Sequence, residues 1–122
     1  MTTHKQDVKT HTPEGWTILR FQNPQKEPFY KVFATWRQND MWKISSGAFD
    51  ALEAALDGEF IVWPQASGSI YKLPLGEENG YTFFQSLVMN DIVEKGLAHG
   101  VQITEIALSD VPGLPNEVRV KL

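Results

Sequence analysis

Few residue types in this chain could do chemistry, and their spacing does not favour it. His4, His11 and His99 are the three histidines, and there is no cysteine. A metal site needs several His, Cys or carboxylate ligands converging on one ion. His4 and His11 sit in a polar N-terminal stretch, and His99 closes a helical run with no further ligand at helical spacing. No metal and no cofactor is expected, and His99 reads as a cation complementing a helix C-terminus. The serines fall in Ser45-Ser46-Gly47 and Ser67-Gly68-Ser69, outside any G-x-S-x-G elbow, and suit turns. A serine nucleophile needs a paired base, so a small hydrolase built on Ser67, Ser69 and His99 ranks third among the expectations. Gly76, Gly80, Gly96 and Gly100 match neither a dinucleotide fingerprint nor a phosphate loop.

Charge distribution says more. Residues 1–43 hold seven Lys/Arg against four Asp/Glu, whereas residues 44–94 hold eight acids against the single base Lys72. A phosphate-backbone binder wants a basic stripe, so direct nucleic-acid binding is not expected. The acids would attract a basic partner, or simply keep the surface hydrated. Asp91 is anomalous because it projects into an apolar arc of Phe83, Phe84, Leu87, Val88 and Ile92. One reading starts the helix at Asn90 and leaves residues 81–89 extended. Alternatively Asp91 pairs with Lys31, Arg37 or Lys43, or it faces a pocket.

The elements that must position these residues follow from periodicity. Trp16 to Phe21 reads as a strand, and Phe29 to Arg37 is the clearest one, with Tyr30, Val32, Ala34 and Trp36 on one face. Gln38-Asn39-Asp40 then turns the chain into Met41 to Ser45. Phe49, Leu52 and Leu56 at i, i+3, i+7, with four alanines, Ser46 as cap and Gly58 as stop, predict a helix over about 47–57. Strands at Glu59 to Trp63 and Ser69 to Leu73 form a second hairpin. A main helix is expected over about 82–99, then a strand at Val101 to Leu108 and an edge strand at Val118 to Leu122. The expected fold is α+β: an antiparallel sheet of about five to seven short strands with both helices on one face. Residues 1–13 are expected to be a flexible leader, and residues 14–122 a single domain.

Composition agrees with a globular chain, at 42% hydrophobic and 21% charged. No run approaches a membrane span, and the N-terminus carries no secretory apolar core, so a cytoplasmic location without membrane association is expected. Four Trp, seven Phe and three Tyr are generous for 122 residues. Phe29 and Phe33 lie opposite Tyr30 and Trp36 on their strand, which puts them toward solvent or a partner if helices cover only one face.

The segments FYKVFATW, MWKISSG and ASGSIYKL resemble a pattern of small phage and prophage accessory proteins, over residues 29–73. That resemblance carries no catalytic residue; it implies a setting in which small proteins bind host or rival proteins. The leading expectation is a non-enzymatic protein that masks a basic partner protein, as a phage-encoded inhibitor or a toxin-neutralising immunity protein does. Asp50, Glu53, Asp57, Glu77 and Glu78 would steer it, with Phe33, Trp36 and Arg37 as contacts. The alternative is a small-molecule or nucleotide-sequestering protein with a pocket of Trp42, Tyr71, Lys72, Phe84 and Asp91. A homodimer that buries the second sheet face is compatible with either.

Overall fold

A computed structural model describes residues 8–122. The chain runs β1 (Thr10–His11), β2 (Gly15–Gln22), β3 (Phe29–Trp36), β4 (Met41–Ile44), β5 (Ala55–Asp57), β6 (Phe60–Pro64), β7 (Ile70–Pro74), α1 (Phe83–Ala98), β8 (Gln102–Ile106) and α2 (Asn116–Arg119). The fold is α+β. Its strands form two four-stranded sheets rather than one, ordered β4-β3-β2-β8 and β1-β7-β6-β5. Every strand pairing is antiparallel except β1 with β7.

The alternation of β2 and β3 makes three layers. Trp16, Ile18, Tyr30, Val32 and Ala34 point one way and meet Ile61, Trp63, Tyr71 and Leu73 of the other sheet. Leu108, Val111, Leu114 and Val118 of the C-terminal segment close this inter-sheet core. Leu19 and Phe33 point the opposite way and are covered by Met89 of α1 and by Ile103. Phe33 is therefore fully buried, which overturns its reading as a surface contact. A strand with large apolar residues on both faces is a strand covered on both faces.

Helix α1 matches its predicted span, and residues 81–89 are not an extended run ahead of a helix at Asn90. Its predicted inner face holds only in part: Val88 and Ile92 pack toward the sheet, but the rest does not. Phe83, Phe84 and Leu87 are exposed, while Gln85 and Met89 are buried. The cause is Gln85. Its Oε1 accepts from Thr82 N and its own N donates to Thr82 Oγ1, a capping box. Its Nε2 donates to Trp36 O and Met41 O at the end of the β3–β4 hairpin, at 2.9 and 2.8 Å. Seating Gln85 there turns Met89, Ile92 and Gly96 toward the sheet at helical spacing.

Two further expectations are corrected. Residues 47–57 form no helix: an irregular crossover leads into β5, so the two helices do not share a sheet face. Asp57 and Phe60 pair across Gly58-Glu59, with Gly58 at φ 60°, so Asp-Gly acts as a hairpin signal, not a helix stop. The C-terminal edge strand is absent, since residues around Val118 form the short α2 packed on the core. Pro115 precedes that turn with fixed φ, and Val118 is its buried residue. Of the predicted leader, residues 1–7, including His4, lie outside the described residues. Thr10 and His11 pair with Ile70 and Tyr71, and Pro13 is buried.

Candidate binding site

Residues 45–54 cross from one sheet to the other, and their backbone is tied to both. Ser45 N donates to Val32 O at 2.9 Å, while Ser45 Oγ accepts from Val32 N and donates to Gln65 Oε1. Tyr30 and Ala48 exchange both backbone hydrogen bonds at 2.8 Å, so one extra residue lies on the crossover side and forms a bulge. Gly47 O accepts from Ala66 N, and Ala51 N donates to Pro112 O, each at 2.8 Å. Asp50 Oδ1 accepts from Leu52 N at 3.0 Å and fixes the turn between them.

This backbone holds two apolar side chains outward. Phe49 is 60% exposed and Leu52 67% exposed. Phe49 meets Phe29 edge to face, with ring centroids 4.8 Å apart. Phe29 in turn pairs with Phe21 across β3 and β2, so three phenyl rings form a row across the end of the sheet. The row lines an open cavity of about 570 Å³, walled by Asn23, Lys26, Glu27 and Val101. On its other side Phe49 borders a second cavity of about 410 Å³, with Asp50, Leu52 and Glu53 around Trp63 and Pro64. Phe49 thus separates two concavities and lines both.

Gly47 is what permits the ring row. Its φ is +98°, and a Cβ there would fall on the Phe29 ring. Only glycine combines that backbone with an aromatic ring on its surface.

The remaining predicted contact residues are dispersed. Asp50 and Glu53 share the 410 Å³ cavity. Asp57 pairs with Lys72 at 3.6 Å, and Glu77 pairs with Arg37 at 3.6 Å. Glu77 also lines a third concavity with Glu59, Phe60, Pro74 and Leu75. Glu78 is bound into the fold, its Oε2 accepting from Leu108 N at 2.7 Å. Trp36 is half-buried against the inter-sheet core, its indole N–H donating to Thr12 O.

The predicted ligand pocket does not assemble. Tyr71 is buried between the sheets beside His11, and Lys72 lies over Phe60. Trp42 stacks on Phe33, while Phe84 and Asp91 are exposed on α1. Asp91 pairs with Lys95 one turn on, at 2.8 Å, and not with Lys31, Arg37 or Lys43.

The perturbed titrations do not converge on one place. Burial lowers His11 below its ordinary value, with help from Lys43 and Lys9. Burial raises Tyr71 and Tyr81, and Glu105 raises Tyr81 further. A hydrogen bond to Asp91 raises Lys95. Ser46, Ser67 and Ser69 hydrogen-bond one another, whereas His99 Nδ1 lies 2.8 Å from Lys95 O at the end of α1. Among the described residues no group of three His, Asp or Glu could hold a metal ion, and no helix is long and apolar enough to cross a membrane. The chain matches no family model, no curated protein and no solved structure.

Phe49, Leu52, Phe21 and Phe29 were the residues that sequence reasoning did not join into a site. The signal was present in Ser-Ser-Gly followed by Asp-Gly eleven residues later, bulge and hairpin chemistry at the two ends of an apparent helix.

Proposed function

We propose that this chain is a binding protein that masks a basic partner protein, with Phe49 and Leu52 as apolar contacts and Asp50 and Glu53 as their charged rim. One observation carries the reading: two large apolar side chains stand exposed on a backbone tied to strand β3 at Ala48 and to the C-terminal segment at Ala51. A contact already held in place loses little conformational freedom on binding. Neither carboxylate makes an ion pair among the described residues, so both remain available to a cationic partner. The excess of acids over bases in residues 44–94 would speed encounter more than it tightens the complex. The resemblance of residues 29–73 to phage accessory proteins supports a cytoplasmic inhibitor of a host system or a toxin-neutralising immunity protein.

The test compares the wild-type chain with the Phe49→Asp/Leu52→Asp double variant in affinity capture from the native host. Proteins retained by the wild type are then purified and their association measured. Losing two central apolar contacts should weaken binding by at least ~30-fold while the melting temperature stays near that of wild type. A partner held equally by both proteins overturns this surface. Asp50→Lys with Glu53→Lys should slow association at low salt and have less effect at high salt; an unchanged rate removes the basic character assigned to the partner.

A further inference from the structure

The 570 Å³ cavity on the far side of Phe49 has a chemistry of its own, independent of a protein partner. Its floor is the ring row Phe21, Phe29 and Phe49, and polar atoms enter only from the loop that carries Lys26 and Glu27. The volume lies within the ~300–1,000 Å³ usual for small-molecule sites. Helix α1 and its packing partners cover the same sheet face around Phe33 and Leu19; Phe21 and Val101 pack at the edge of that cluster, and the ring row runs out from it and stays open. Lys31 Nζ stands 5.1 Å from the centre of the Phe21 ring, outside the residues that line the cavity but against one of its rings. Among the described residues neither Lys26 nor Lys31 has a carboxylate within ion-pair distance. The lining itself holds one base, Lys26, and one acid, Glu27, so Lys31 beside the Phe21 ring supplies the excess positive charge near the cavity.

We propose that this cavity binds a small amphipathic anion, an apolar chain or ring bearing one carboxylate. The apolar body lies across the three phenyl rings, and the carboxylate sits at the mouth with Lys26 and Lys31. A cation lying over a ring is already partly desolvated on one side and gives up less hydration when an anion reaches it. A neutral apolar ligand would gain the rings alone, and a cationic one would meet both lysines.

Titration calorimetry with octanoate and with neutral octanamide, both below any aggregation concentration, tests this without a partner protein. Octanoate should bind saturably at one site, about two- to fivefold more tightly than octanamide, the range expected of exposed ion pairing. Lys26→Gln with Lys31→Gln should bring the two affinities together. Phe49→Ser, at a position already exposed, should weaken both ligands while the thermal unfolding midpoint holds. No saturable binding of either ligand overturns the site. Equal binding of the two by wild type, or octanoate binding untouched by the lysine variant, overturns the anion assignment. Because the lysines lie outside the Asp50–Glu53 rim, failure here leaves the masking of a protein partner standing, and failure there leaves this site standing.

Discussion

Helix α1 and the crossover at residues 45–54 begin from nearly the same sequence material and end as opposites. Each offers a hydroxyl cap, a Phe and Leu periodicity and a glycine near its end. In α1 the cap is completed locally, because Thr82 and Gln85 satisfy each other's backbone donors within one turn. In the crossover the polar groups are satisfied from a distance, by Val32, Tyr30, Ala66 and Pro112. Helical hydrogen bonds must compete with such non-local ones. Over so short a segment nucleation is costly, and propensity yields to tertiary structure. Both regions expose apolar side chains, but differently. Phe83, Phe84 and Leu87 project from the outer side of a helix, whereas Phe49 stands between two cavities with charged rims and Leu52 lines one of them. Under the proposed function, concavity beside charge is what favours the crossover over the helix as the contact surface.

The comparison is broken most severely at Gly47. Gly47→Ala forces a side chain into left-handed backbone and onto the Phe29 ring. Left-handed strain and overpacking together should cost about 3 to 4 kcal/mol in chemical denaturation. Octanoate binding should fall with it, because Phe29 must move. A cost below about 1 kcal/mol would mean that the crossover relaxes freely and is not the fixed scaffold described above.

The corresponding point in α1 is Gln85, and its expected cost is smaller. Gln85→Ala removes half of a capping box and the donor shared by Trp36 O and Met41 O. Those carbonyls lie at the Trp36–Met41 strand pair, so part of their bonding survives. A loss of about 2 kcal/mol is expected. If the helix owed its orientation to apolar packing alone, Gln85→Leu would be at least as stable as wild type, and that result would reverse the account of its face.

What the sequence disclosed follows the same division between local and distant causes. Strands β2, β3, β6 and β7, the turn at Gln38-Asn39-Asp40 and the span of α1 were legible because alternation, turn residues and helical spacing are local. The orientation of α1 was not, because Gln85 chooses its face through carbonyls 44 and 49 residues away. Phe33 reads as a contact in the sequence because one strand cannot say how many layers will cover it. Its neighbours Leu19 and Met89 decide that, and they come from other elements. At the candidate site the carboxylates Asp50 and Glu53 were visible as charges. The apolar half of the site was concealed by a periodicity that placed Phe49 and Leu52 inside a helix.

Two aspartates give the finest contrast. Asp50 accepts a backbone hydrogen bond from Leu52, whereas Asp91 pairs with Lys95 on the open surface of α1. A side chain that replaces a missing backbone partner does structural work in water as well as in salt, while an exposed i,i+4 pair is screened. Asp50→Ala should therefore lower stability by about 1 kcal/mol with little dependence on ionic strength. Asp91→Ala should have a smaller effect that fades as salt is raised from low to molar concentration. Denaturation of both variants at the two salt levels checks this. Equal salt sensitivity would show that Asp50 acts through charge alone, and the crossover would then lose one of the ties that hold Leu52 outward.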